Sequence, residues 1–169
     1  MPMSMYQSSA PVFARALGQL KHLLQKAAAH AAAKKIDESV FLNGRLAPDM
    51  FPLSRQVQIA TDFARGTVAR LSGHEPPAWE DKEASFADLI ARVDRAIHAV
   101  NEAKAASIEG SQSRSITRPI RGQPHTFSGD TFLSNYALPN FWFHSTMVYA
   151  ILRSLNVEIG KGDWIGSLQ

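Results

Sequence analysis

The chain has 169 residues, 45% of them hydrophobic, and a formal net charge of +3 from 18 basic and 15 acidic residues. This length and apolar content are those of one globular domain, which we predict to span residues 1–169. The absence of cysteine excludes disulfides, thiolate metal sites and cysteine nucleophiles. No apolar run approaches the roughly 20 residues that cross a bilayer, and residues 1–12 lack the pattern of a secretory signal. We therefore expect a soluble, cytoplasmic protein without membrane contact.

The first predicted helix runs from about Pro11 to Lys35. Its apolar residues recur at alternating steps of four and three, which is typical of one stripe of a bundle helix. The stripe comprises Phe13, Leu17, Leu20, Leu24, Ala27 and Ala31. His22 lies opposite the stripe and is predicted to be exposed. A short helical turn is predicted over residues 37–42.

The second predicted helix begins at Pro52 or Leu53, runs to about Leu71 and stops at Gly73. Its predicted inward positions are Leu53, Val57, Ala60, Ala64, Val68 and Leu71, with Phe63 beside them. At about 100° per residue, Gln56 falls inside this apolar arc and Gln58 falls outside it. Arg55, Asp62 and Arg65 are predicted on the polar side.

The third predicted helix begins after Ser85, which is placed as an N-cap with Asp88 in the capping-box position. It runs to about Ala105. The apolar stripe is Phe86, Leu89 or Ile90, Val93, Ile97 and Val100. Asp94 and His98 lie one turn apart on the polar face, and we predict that they form a surface pair.

The segment 107–129 is rich in serine, arginine, glycine and proline. Residues 115–117 and 125–127 are predicted to pair as a small β-hairpin across the turn 121–123. Arg114, Arg118 and Arg121 form a local basic excess, with no acidic residue between positions 109 and 130. A nucleic-acid surface usually needs more basic groups and interleaved aromatic residues. We therefore predict solvated arginines and no nucleic-acid partner.

A helical lead-in is predicted over residues 130–137, and Pro139 occupies the first turn of a last helix that runs to about Leu155. Its apolar face comprises Phe141, His144, Met147, Val148, Ile151 and Leu155, with Asn140 one turn before His144. The tail 160–166 is predicted to be irregular. Four long amphipathic stretches with modest connections predict an all-α, antiparallel four-helix bundle with a small hairpin before the last helix.

Three polar residues, Gln56, Asn140 and His144, are predicted to point into the bundle. Buried polar groups need partners, so the three residues satisfy one another in a layer that fixes helix register, or they form a ligand site. Bundle interiors host ligands that facing helices supply. One imidazole with two amides is a poor transition-metal site, so we predict no metal and no cofactor.

Several phrases of the sequence resemble a bacterial domain-of-unknown-function family within the DinB-like (YfiT-like) superfamily of four-helix bundles. The phrases are residues 46–53, 56–58, 137–144, 149–153 and 160–161, and the resemblance extends over nearly the whole chain. The resemblance implies a bundle that commonly forms homodimers. It also implies, for many members, three histidines around a divalent metal, one on the second helix and two spaced by four on the last. Related proteins include thiol-dependent transferases and isomerases that use mycothiol, bacillithiol or glutathione.

Carried onto this sequence, the last-helix histidine pair falls on Asn140 and His144. The second-helix ligand falls on Gln56 by the helical wheel, or on Gln58 by a looser match of the phrase. Only His144 keeps the metal-binding residue type. The sequence departs from the metal site of the superfamily while it retains the elements that predict the fold.

Three functional hypotheses stand, and the sequence leaves open whether the protein is an enzyme, because no catalytic residue is assigned. The first is a bundle with a degenerate metal site that binds a small polar molecule at Gln56, Asn140 and His144, or merely packs there. The second is a metal-dependent transferase acting on a low-molecular-weight thiol, with His144 as a metal ligand. The third is a homodimeric interaction module without catalysis. It rests on the lack of a convincing catalytic set and on the aromatic run 141–143, whose Trp142 and Phe143 either pack on the lead-in segment or form a subunit interface.

Overall fold

A computed structural model describes residues 4–167 of the protein, and the two ends of the predicted 1–169 domain lie outside the described residues. The long helices are α1 (Ala10–Lys34), α3 (Leu53–Leu71), α4 (Phe86–Asn101) and α7 (Leu138–Ser154). Between and after them lie the short helices α2 (Glu38–Leu42), α5 (Ala105–Ile108), α6 (Gly129–Thr131) and α8 (Lys161–Ile165). A 3-10 turn covers Ser111–Ser113, and a π-helical segment over Phe132–Ala137 leads into α7. The strands are β1 (Ile116–Ile120) and β2 (Gln123–Phe127).

The four long helices form the predicted bundle. Helix α1 packs mainly on α4, and α3 packs on both α4 and α7. Gln56 meets His144 while Phe63 meets Tyr136, so α3 runs antiparallel to the chain entering α7. The core is apolar and closely packed, with the rings of Phe13 and Phe141 in edge contact at 5.0 Å. Burying such apolar surface is the main force that holds the bundle together.

The predicted boundaries of the long helices are confirmed to within a few residues. Helix α3 begins at Leu53. Helix α4 ends at Asn101, and Ala105, where it was predicted to end, is instead the first residue of the separate short helix α5. In α4 the buried stripe passes through Leu89, while Ile90 is half-buried. None of the helices in residues 4–167 is long and apolar enough to cross a membrane.

The β-hairpin is present as predicted, with Thr117 opposite Thr126 and Arg118 opposite His125. Its turn is shorter than the predicted three residues and consists of Arg121 and Gly122, whose φ angles are 50° and 78°. Two positive φ angles in a two-residue loop match the twist of the flanking strands, and glycine adopts this conformation easily.

The prediction of an irregular tail is wrong, because residues 161–165 form α8. The carboxylate of Asp163 accepts a hydrogen bond from the Gly160 amide at 2.8 Å, which caps the helix. Lys26 and His22 of α1 bind the same carboxylate at 2.9 and 3.0 Å. These hydrogen bonds, the Gly160 bond foremost, hold the pKa of Asp163 far below its usual range. Pairing to α1 stabilises a helix that is too short to be evident from its own sequence.

The prediction that Asp94 and His98 pair with each other is wrong. Asp94 binds Lys21 of α1 at 2.7 Å, and His98 contacts Glu102 at 3.3 Å. The partner of Asp94 therefore lies on the neighbouring helix α1, and the partner of His98 lies one turn further along the chain. His22 is exposed, as predicted.

Two side chains predicted to lie on the polar side of α3 are buried instead. Gln58 accepts a hydrogen bond from Arg55 and donates one to Glu83 at 2.8 Å. The guanidinium of Arg65 lies 4.0 Å from the ring centre of Trp79. The loop between α3 and α4 covers this face of α3, and a helical wheel cannot anticipate such a covering loop.

Candidate functional site

The polar residues Gln56 and His144 meet in the bundle as a directly bonded pair. Oε1 of Gln56 lies 2.7 Å from Nδ1 of His144. Nε2 of Gln56 donates to the backbone carbonyl of Phe51 at 3.1 Å. Gln56 is 1% exposed and His144 is 9% exposed, so both groups are withdrawn from bulk water. This confirms the predicted inward orientation of both side chains.

The hydrogen bonds of Gln56 fix the tautomer of His144. Because the amide nitrogen of Gln56 is committed to the Phe51 carbonyl, its Oε1 faces the imidazole and can only accept. Nδ1 of His144 must therefore carry the proton. The second ring nitrogen, Nε2, then holds a lone pair, and it has no hydrogen-bond partner among residues 4–167.

The surroundings of His144 keep its imidazole neutral. Burial, together with the smaller effect of the positive charge of Arg55, lowers the pKa of His144 from 6.5 to about 4. The ring of Phe63 stacks on the imidazole at 6.2 Å between ring centres, and the ring of Phe143 meets its edge at 5.2 Å. Both aromatic neighbours favour the uncharged form by excluding water.

Asn140 lies one turn before His144 but does not join the bonded pair. Its Nδ2 donates to the carbonyl of Tyr136 at 2.7 Å, back along its own helical segment. The Oδ1 of Asn140 accepts no hydrogen bond from the described residues, and the side chain is half-buried. The three residues predicted to form one polar group are therefore a hydrogen-bonded pair, Gln56 and His144, with the amide of Asn140 next to it.

The donors at this position do not fit the three-histidine metal site that the resemblance implies. They amount to one imidazole nitrogen and two amides, and the Gln56 oxygen is already hydrogen-bonded to His144. Across the described part of the chain, no three His, Cys, Asp or Glu side chains come together in a group that could hold a metal ion. Amide oxygens bind transition metals weakly compared with imidazole.

The helical wheel identified Gln56 and His144, but it missed Arg55 and the stacking role of Phe63. Arg55 was placed on the polar side of α3, and its charge nevertheless acts on His144. The prediction left Gln56 and Gln58 as alternatives for the superfamily's second-helix position. Of the two, Gln56 is hydrogen-bonded to His144, while Gln58 binds the loop residue Glu83.

Comparison with known proteins places this chain in a family. Residues 5–165 match the model of a domain of unknown function, DUF1993. The crystal structure of a DinB family member protein from Shewanella denitrificans is similar, with 38% sequence identity and a TM-score of 0.90 over 96% of this chain and 92% of that chain. No curated protein matches the sequence. The chain therefore belongs to the DUF1993 family of domains of unknown function, and its fold is that of the DinB-like helical bundles.

Proposed function

We propose that this DUF1993 domain binds a small polar ligand through Nε2 of His144 and does not use a transition metal there. One observation carries the proposal: a neutral imidazole whose Nδ1 proton is held by Gln56 and whose Nε2 has no partner in the described chain. His144 is only 9% exposed, and its Nε2 is not one of the fully buried atoms without a partner in residues 4–167, so a ligand can reach this acceptor in a largely desolvated setting.

The chemistry of the site specifies a donor ligand. A lone pair on Nε2 accepts a hydrogen bond from a hydroxyl, an amine or a thiol. The free Oδ1 of Asn140, one turn away, is a second acceptor for the same molecule. The positive charge of Arg55 disfavours a cationic ligand. Neutral donors such as alcohols and thiols therefore suit the site best.

The competing account is a polar layer that only fixes the register of α3 and α7. It predicts that Gln56→Leu and His144→Ala change stability and nothing else. A ligand site predicts that both variants lose ligand binding while they remain folded. The two accounts therefore differ in a binding measurement and cannot be separated by stability alone.

The test is an NMR titration of isotopically labelled protein that follows the ring resonances of His144. Ethylene glycol and 2-mercaptoethanol serve as donor probes, and acetone serves as an acceptor-only control. We expect a saturable shift of His144 with the donors, no such shift with acetone, and loss of the effect in Gln56→Leu. No saturable shift with either donor, or an equal shift with acetone, would contradict the proposal. His98→Ala, at an exposed histidine, is the matched control and keeps the effect.

Metal binding is tested separately on protein purified without an affinity tag. We expect no stoichiometric Zn, Ni, Mn or Fe, and no change in the His144 resonances at equimolar zinc. A tight one-to-one complex that His144→Ala abolishes would instead favour the metal-dependent thiol transferase.

A homodimer stays a prediction, and the exposed aromatic residues of α7 are the surface through which we expect it to form. Phe143 is 52% exposed beside His144, and Trp142 is also exposed while its ring packs on Trp164 of α8. Exposed aromatic residues of this kind are enriched at subunit contacts. We expect light scattering to give the dimer mass, and Phe143→Ser to shift the mass towards the monomer. A wild-type monomer at every concentration would contradict the prediction.

A further inference from the structure

A cavity of about 190 Å³ lies between α3, the hairpin strand β1 and the π-helical segment. The rings of Phe63, Phe132 and Tyr136 form its apolar wall. His144 does not line it, although Phe63 contacts both the cavity and the imidazole. The cavity is thus a separate site beside the proposed ligand position.

Two polar atoms of the residues lining this cavity are buried without a hydrogen-bond partner among residues 4–167. They are the hydroxyl oxygen of Thr67, a residue that is 1% exposed, and Nε of Arg70. The other nitrogens of Arg70 bind the Gly66 carbonyl and the carboxylate of Glu75. A buried donor without a partner is costly, so these two atoms favour a polar ligand at this position.

Three arginines line the cavity, Arg55, Arg70 and Arg118, and Asp62 is the one carboxylate among the lining residues. Arg55 and Arg70 are also paired with Asp81 and Glu75, which do not line the cavity, at 2.5 and 2.9 Å. Asp62 is itself paired with two arginines outside the cavity, Arg65 at 2.7 Å and Arg92 at 3.1 Å.

Two of these arginines also repel each other. Arg118 has no carboxylate partner in the described chain, and its charge adds to burial in lowering the pKa of Arg70. An anion that binds both guanidinium groups reduces the repulsion between them.

We propose that this cavity binds a small organic anion, with a carboxylate or phosphate group held by Arg70, Arg118 and the Thr67 hydroxyl and with a flat apolar body against Phe63, Phe132 and Tyr136. The volume admits a molecule of the size of a single substituted ring. The proposal does not depend on the function proposed for His144, although Phe63 and Arg55 adjoin both positions. Its anion-binding groups are Arg70, Arg118 and Thr67, and its chemistry is the opposite: donors for an anion rather than acceptors for a hydroxyl or thiol.

Calorimetric titration with benzoate, phenyl phosphate and inorganic phosphate tests the site, and neutral benzamide serves as the uncharged control. We expect saturable binding of benzoate or phenyl phosphate and none of benzamide. Benzoate and phenyl phosphate distinguish a carboxylate head from a phosphate head. Binding of inorganic phosphate as tight as that of phenyl phosphate would contradict the role of the aromatic wall. Failure of both aromatic anions to bind, or equal binding of benzamide, would overturn the proposal.

Two variants assign the binding to this cavity. Arg118→Gln removes a charged donor and should weaken binding about tenfold or more, and Thr67→Val removes one neutral donor without changing shape and should weaken it about fivefold. Thr67→Val removes an unpaired hydroxyl, so its fold is retained and the binding result is interpretable.

Control variants locate the effect. Arg121→Gln loses the same charge at the exposed hairpin turn and should bind like the wild type. His144→Ala should also retain anion binding, which separates this site from the one proposed at His144. Unchanged binding in both Arg118→Gln and Thr67→Val, or loss of binding in His144→Ala, would overturn the assignment.

Discussion

Gln56 determines the chemistry of His144 because each of its two amide atoms has a single partner within residues 4–167. Its nitrogen serves the Phe51 carbonyl and its oxygen serves Nδ1 of the imidazole. Metal-binding histidines are oriented by a similar bond to the second ring nitrogen. Here the same orienting bond is present without the companion histidines, and Nε2 is left as a hydrogen-bond acceptor.

The neutral state of His144 makes the stability of the protein depend on pH in a specific window. Because the folded pKa is about 4 and the ordinary value is 6.5, the unfolded chain binds the proton more readily. Stability from the neutral imidazole is complete above pH 6.5 and declines as the pH falls through 6.5 towards 4. We expect His144→Asn, which keeps a donor towards Gln56, to remove up to about 3 kcal/mol of this decline in urea unfolding. An identical pH dependence in the variant and the wild type would contradict the burial of a neutral histidine.

At the scale of elements, the loop between α3 and α4 is attached by the buried guanidinium of Arg92. Its nitrogens bind Thr61, Asp62 and Glu83, at 2.9, 3.1 and 2.9 Å. We expect Arg92→Met to lower the free energy of unfolding by about 3 kcal/mol, because the loop loses the hydrogen bonds of a buried guanidinium to the partly buried carboxylates of Asp62 and Glu83. Denaturant unfolding measures this loss.

The matched control is Arg95→Met, on the same helix. Arg95 is exposed and its main contact is with the face of Trp79, at 3.9 Å from the ring centre. Loss of this contact in Arg95→Met should lower the free energy of unfolding by about 1 kcal/mol or less. Equal losses in the two variants would show that the loop is held by the tryptophan contacts alone.

The junction between the hairpin and α7 depends on Gly129, which packs against the backbone of the 3-10 turn. A Cβ at this position would overlap the carbonyl of Ser111. We expect Gly129→Ala to destabilise the protein by about 1–3 kcal/mol. Gly18, in the middle of α1, has open space at the same point, so Gly18→Ala should stabilise by about 0.5–1 kcal/mol. Thermal unfolding distinguishes the two, and stabilisation by Gly129→Ala would contradict the packing described here.

Periodicity predicted the elements well because apolar spacing is a local property. It placed Gln56 and His144 inside the bundle, since each lies within an apolar arc of its own helix. It could not place Gln58, Arg65 or Arg92, because their burial depends on a loop that folds back over α3. Nor could it join Gln56 to His144, which are 88 positions apart, or predict α8, which depends on α1.

At the scale of the whole molecule, α3 is the helix that both candidate sites share. It supplies Gln56 and Phe63 to the His144 site and Thr67 and Arg70 to the arginine-lined cavity. The DinB-like bundle therefore presents an acceptor and a set of donors side by side, next to the chain entering α7. Membership in DUF1993 and the similar DinB structure account for the scaffold, and the residues at these two positions give this chain its own chemistry.

The most direct test is the protonation pattern of His144, measured by two-bond proton–nitrogen NMR correlation of its ring, with His144→Asn used to assign the signals. We predict a proton on Nδ1, a bare lone pair on Nε2 at neutral pH, and titration only near pH 4. A proton on Nε2, or an imidazolium at neutral pH, would contradict the hydrogen bond to Gln56 on which the proposed ligand site depends.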